Sequence, residues 1–146
     1  MIQHPNEQIM TEIIQKMRKN NSITAGITGP DGNIISIGTT TVQEDDDPTA
    51  HAEINAIRKA CKKLGINEFP KGYYLYSTFE PCPLCASAAI WAKLDGIVYA
   101  NNPKYCGKEI NWSFLSCEEV LKAGETIHPI AITKDFLIDT IKDFFL

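Results

Sequence analysis

Two short motifs leave this chain little freedom of architecture: residues 47–53 read Asp-Pro-Thr-Ala-His-Ala-Glu, and residues 80–85 read Glu-Pro-Cys-Pro-Leu-Cys. Cys82 and Cys85 stand at i and i+3, neighbours on one helical face. Two zinc–sulfur bonds of about 2.3 Å at a tetrahedral angle put the sulfurs about 3.8 Å apart, a separation this spacing reaches. A helix start also favours thiolates, because its unpaired N–H groups and dipole stabilise negative charge. Pro81 starts that helix, and with Pro83 gives it a rigid backbone. His51 and Glu53 pose a different problem, since positions i and i+2 point about 200° apart within a helix. They can share a site only at a first turn, where side chains point off the helix end, and Pro48 puts a helix start there. The fold must therefore bring two helix starts to one point.

His51, Cys82 and Cys85 make three metal ligands and leave a fourth zinc position open, the pattern of a catalytic rather than a structural site. Cys61 lies ten residues past His51 on the same helix, about 15 Å along the axis at 1.5 Å per residue, and cannot close it. His4 and His128 lie in unrelated segments. Cys-x-x-Cys alone is also compatible with a redox pair, and His-Ala-Glu alone is weaker still. Together, 31 positions apart and each opening a helix beside a strand, they point to Zn²⁺ with Glu53 as a proton carrier that is not itself a ligand.

Hydrophobic periodicity supplies the rest. Residues 6–19 place Ile9, Met10, Ile13, Ile14 and Met17 on one face of a first helix. Residues 23–28 and 33–38 flank Gly29-Pro30-Asp31-Gly32, a hairpin turn. A polar loop over 39–47 follows, then a helix from Pro48-Thr49 to Gly65 with Ile54, Ile57, Cys61 and Leu64 inward. Strands are expected at 73–77, 96–100 and 127–133, and helices at 81–93, 113–123 and 135–145. A hairpin followed by alternating helices and strands implies an α/β fold with a mixed sheet between helical layers, in one domain over residues 1–146. Five cysteines, an odd number, with no export signal imply reduced thiols and a cytoplasmic protein, and no apolar run approaches a membrane span. A net charge of −4 argues against a partner held chiefly by phosphate contacts.

With these residues in view, the chain resembles the cytidine-deaminase-like superfamily, in the branch of guanine deaminases and tRNA adenosine deaminases. The resemblance covers nearly the whole chain and implies a three-layer α-β-α fold on a five-stranded mixed sheet, and a homodimer. It also implies hydrolytic deamination by Zn²⁺ with Glu53 as acid–base, and the Ala52 backbone N–H as a substrate contact. Trp91 and Ser113-Phe114 resemble guanine deaminases, with a core aromatic as the alternative for Trp91. Thr40 stands where the family usually has a base-reading asparagine, and Asn111-Trp112 where guanine deaminases have an acidic residue before Ser-Phe.

Three functions stay open at this point. A deaminase of a small purine base or nucleoside fits the acidic balance and Trp91. A tRNA-specific adenosine deaminase would need basic residues at the pocket mouth, for which Arg58, Lys59, Lys62, Lys63 and Lys104 are candidates. A non-catalytic zinc module is disfavoured by the presence of Glu53. Glu80 is expected to make a helix-start or structural hydrogen bond.

Overall fold

The computed structural model describes residues 1–106 and 112–144. In chain order these form α1 (Glu7–Asn20), β1 (Thr24–Thr28), β2 (Ile34–Thr39), α2 (Ala52–Leu64), β3 (Tyr74–Phe79), α3 (Pro83–Trp91), β4 (Gly96–Asn101), α4 (Cys117–Ala123) and β5 (Ala131–Thr133). The strands make one sheet in the order β2-β1-β3-β4-β5. β1 pairs antiparallel with β2 and β3, while β3–β4 and β4–β5 are parallel, so the sheet is mixed as expected.

Period-2 alternation sorts the strand side chains between two cores. Leu75, Ile97 and Tyr99 face α2, α3 and α4, whereas Tyr76, Val98 and Ala100 face α1 and the C-terminal segment around Ile141. Helices thus cover both faces, which is why every residue of β4 is buried. All five inward positions read from the periodicity of α1 are buried, and Asn6 caps that helix by accepting from the Ile9 N–H.

Several boundaries differ from the sequence reading, each for a local reason. α2 begins at Ala52, not Pro48: residues 48–50 form a turn held by Asp47, whose carboxylate accepts from the Thr49 N–H and hydroxyl. α3 likewise begins at Pro83 rather than Pro81. Along α2 the closely packed stripe is Ala52, Ala56 and Ala60, while Ile57 and Cys61 are half-buried and Leu64 is exposed. α4 starts at Cys117 because Ser116 and Glu119 form a capping box, so residues 113–116 lie outside it. The expected strand over 127–133 shortens to β5, since Ile127 and His128 still donate to the Gly124 carbonyl at the end of α4. The closing helix is broken where Asp135 and Leu137 take left-handed backbone, which leaves a short 3₁₀ turn at Ile138–Thr140. Its expected end at Phe145 lies outside the described residues. No helix among the described residues is long and apolar enough to cross a membrane.

α2 is seated by its approach to β2. A Cβ on Gly38 would lie 2.4 Å from the Ala52 carbonyl oxygen and 2.5 Å from the Ala56 nitrogen. Only glycine permits that contact. The Ser36 hydroxyl then donates to the Ala56 carbonyl at 2.7 Å, pinning the same turn.

Candidate active site

The two helix starts meet as the motifs require. His51 is the N-cap of α2 and Glu53 lies in its first turn; Cys82 is the N-cap of α3 and Cys85 lies in its first turn. His51 Nδ1 stands 3.4 Å from Cys82 Sγ and 3.5 Å from Cys85 Sγ, with the sulfurs 3.8 Å apart. Tetrahedral zinc with bonds of about 2.3 Å to sulfur and about 2.05 Å to nitrogen requires separations of about 3.8 Å and about 3.6 Å. The donor triangle fits zinc in both size and chemistry. No other His/Cys/Asp/Glu group among the described residues has the proximity of a metal cluster. His4 is engaged with Tyr76, and His128 with the Leu94 carbonyl.

The two thiols titrate as a pair. Cys82 gives up its proton first: the hydrogen bond from Cys85 leads in lowering it to about 5, joined by the backbone N–H groups of Cys85 and Leu84 and by His51. The same shared hydrogen bond, together with burial, pushes the Cys85 thiol up. A cation between them favours both thiolates.

Glu53 is buried, and its Oε2 accepts from the Ser77 hydroxyl at 3.3 Å. Burial pushes its carboxyl up to about 7; its own backbone N–H, His51 and Ser77 pull the other way. A carboxyl with a pKa near neutrality can both take and return a proton.

His51, Glu53 and Cys82 open onto a cavity of 210 Å³ whose other walls are Ile23, Thr40, Val42, Phe79, Glu80 and Trp112. Thr40 is therefore at the cavity, as the sequence suggested. Ala52 is the first residue of α2, where a backbone N–H has no acceptor within the helix. Trp91 is not at the cavity. It is 63% exposed, so it is no core residue either, and it borders a neighbouring apolar groove with Pro83, Ser87 and Leu115. The tryptophan the structure brings to the cavity is Trp112, whose ring packs on Phe79 at 4.6 Å. Asn111 lies outside the described residues. Glu80 combines two roles: it borders the cavity, and its Oε2 accepts from the Cys117 N–H at the start of α4. Sequence reasoning missed Ser77 and Phe79, and had Trp112 only as part of the Asn111-Trp112 pair standing in for an acidic residue. The strand alternation that puts Ser77 and Phe79 on the face carrying α2 was the available signal.

The fold and this site define a class of protein. The sequence profile of the cytidine and deoxycytidylate deaminase zinc-binding region matches residues 4–101, and the chain belongs to that family. Within it, the chain is 46% identical over 85 residues to the guanine deaminase of Bacillus subtilis, covering 53% of this chain and 54% of that one. It is 41% identical over 87 residues to the tRNA-specific adenosine deaminase of Agrobacterium fabrum, covering 59% of this chain and 57% of that one. The matches thus span a little over half the length of these relatives. Among solved structures, a guanine deaminase from Nitrosomonas europaea superposes with a TM-score of 0.80 at 22% identity, over 99% of this chain and 85% of that one. That likeness establishes the shared fold.

Proposed function

We propose that the chain is a hydrolytic deaminase that releases ammonia from a small purine base or nucleoside. The observation that carries this reading is a buried carboxyl, Glu53, beside a three-ligand metal cluster at one small cavity. His51, Cys82 and Cys85 would hold zinc, which would supply Lewis-acid activation of a water as nucleophile. Glu53 takes one proton from the attacking water and passes it to a ring nitrogen, then takes the second from the newly added hydroxyl and passes it to the departing amine. The amino-bearing carbon gains an oxygen and loses ammonia, so the step needs no other reactant. The Ala52 N–H at the helix start serves as a hydrogen-bond donor to the substrate. Phe79 and Trp112 offer aromatic and apolar surface to a planar base, and Thr40 offers one hydroxyl to its edge. Trp91 serves the assembly rather than the base. It is exposed on the groove beside α3 and α4, where Leu115 is also exposed, and a second copy of the chain would cover it.

The relation to tRNA-specific adenosine deaminases supports a second substrate reading. Against it, three of the five basic residues near the motifs are engaged elsewhere: Arg58 pairs with Asp47 at 3.4 Å, and Lys59 and Lys63 donate to the Ile37 and Ile35 carbonyls on β2. The two lysines face the edge strand of the sheet. Ammonia release across guanine, guanosine, adenine, adenosine, cytosine, cytidine and a tRNA anticodon stem-loop separates the two. A free purine or purine nucleoside is expected to be the best substrate, with weak discrimination among purines that Thr40→Asn sharpens. Turnover of the stem-loop alone would overturn the small-molecule reading.

A further inference from the structure

The cavity wall formed by Thr40 and Val42 belongs to a polar loop whose tip, residues 43–46, is exposed. Such a segment has little apolar packing of its own to hold a side chain in place. Its neck is nevertheless closed, because the Thr41 N–H donates to the Ala50 carbonyl at 2.9 Å. Asn55 sits at that neck. It is one turn along α2 from His51, whose carbonyl accepts the Asn55 N–H at 2.9 Å. Its side-chain Nδ2 donates to the Thr39 carbonyl at 2.7 Å and to the Thr41 hydroxyl at 2.8 Å, with the Ala50 carbonyl a more distant third acceptor at 3.4 Å.

The chemistry at this position is restrictive. The Thr41 hydroxyl is already spent as a donor to the Asp45 carboxylate at 2.6 Å, so it can only accept from residue 55. The two carbonyls can only accept as well. Three acceptors converge on one point of α2, which fixes the amide orientation and calls for a short side chain with two N–H groups. An aspartate would set a charge against oxygen lone pairs, and an aliphatic residue would leave the acceptors at the neck unserved.

We infer that Asn55 is the positioning residue for the base-facing wall. By holding Thr39 and Thr41 on either side, it fixes Thr40, and it ties that wall to the helix that carries His51 and Glu53. It touches neither metal donors nor substrate, so its removal acts on binding and base discrimination rather than on the chemical step. This inference rests on the reading of the cavity as the substrate pocket.

The test compares zinc-loaded wild type with Asn55→Ala and Asn55→Asp. Zinc content, kcat and KM for the best free purine, and amide exchange at Thr41, Asp45 and Asp47 are measured. Asn55→Ala is expected to keep one zinc per chain, raise KM about tenfold with kcat within about threefold, and speed exchange at those three amides. Asn55→Asp is expected to go further in the same direction. A fall in kcat at unchanged KM, loss of zinc, or unaltered exchange would overturn the inference. Should the wild type deaminate none of the panel, the functional reading fails by itself. Amide exchange and equilibrium dialysis of guanine against the same variants then still decide whether Asn55 holds the wall.

Discussion

Adding one methyl group at Gly38 would perturb the metal site without altering any residue that faces it. The new Cβ would lie 2.4 Å from the Ala52 carbonyl oxygen, 2.5 Å from the Ala56 nitrogen and 3.0 Å from the Asn55 Cβ. The first two are backbone atoms of the opening turns of α2, so no side-chain rotation relieves them. Restoring ordinary contact requires α2 to retreat from β2 by about 1 Å. Ala52 lies between His51 and Glu53, so the retreat is passed to a corner of the donor triangle and to the buried carboxyl together. The donor triangle has sides of 3.4, 3.5 and 3.8 Å, and moving its nitrogen corner by that distance takes it outside zinc's range.

The magnitude follows from two effects. Overpacking of this kind costs about 1–3 kcal/mol, offset by about 0.5–1 kcal/mol as alanine restricts the unfolded chain. At about 2.1 cal/mol/K per residue, 1 kcal/mol is about 3 °C in Tm for a chain of this size, so Gly38→Ala is expected to melt up to about 8 °C lower. Misplacing catalytic groups by about 1 Å costs about 10²-fold in rate, a larger relative loss than the stability change. Calorimetry, elemental analysis for zinc and kcat/KM on the best purine substrate measure the three quantities. A variant with a raised Tm, full zinc and unchanged kcat/KM would refute the claim that this contact seats the site.

Purified protein is expected to carry one zinc per chain, and Cys82→Ser or Cys85→Ser to lose most of it; full metal retention in both by elemental analysis contradicts the ligand assignment. Glu53→Gln is expected to keep zinc and Tm while kcat falls about 10²–10⁴-fold, the range for losing a general acid–base, and near-normal turnover would remove Glu53 from the chemistry. His4 stacks on Tyr74 at 3.6 Å, with its Nδ1 2.6 Å from the Tyr76 hydroxyl. Burial lowers its pKa from 6.5, with Asp95 opposing. Folding therefore favours the neutral ring, and that contribution is complete above about pH 6.5 and lost as pH falls through the lower folded-state value. An NMR titration of the ring with a midpoint at or above 6.5 would contradict this.

The metal site was legible because its chemistry restricts both residue type and spacing. Cys82 and Cys85 needed one helical turn, and His51 with Glu53 needed a helix end. The succession of strands and helices along the chain was legible from periodicity and from the turn at residues 29–32. What escaped the sequence were features set by contacts distant along the chain. Asp135 and Leu137 adopt left-handed backbone although neither is glycine, so nothing local announces the break in the C-terminal segment. Trp91 is absent from the cavity it was expected to line, whereas Trp112 borders it, because α4 begins only after its N-cap Ser116 and residues 112–115 precede the helix. That start was in fact written in the sequence, as Ser116 and Glu119 at capping-box spacing. Gly38 and Asn55 carried no signal of their own, since each matters through the atoms of another element that approach it.

The four helix starts show where local rules were kept and where they gave way. Asn6 and Ser116 are good N-caps, and each accepts from a first-turn N–H of its helix. His51 and Cys82 occupy the same position on α2 and α3, and His51 makes no capping hydrogen bond at all. A missing cap costs about 0.5–2 kcal/mol, so α2 lacks a stabilisation that α1 and α4 have. The first-turn N–H groups left without an intrahelical partner help to lower the Cys82 thiol, and on α2 they include the donor assigned here to the substrate. Tertiary contacts make up for the weak starts: Gly38 and Ser36 hold α2 against β2, and Pro83 fixes the first residue of α3. Poor caps braced from outside are what a helix start requires if it is to hold a metal and a substrate instead of satisfying itself.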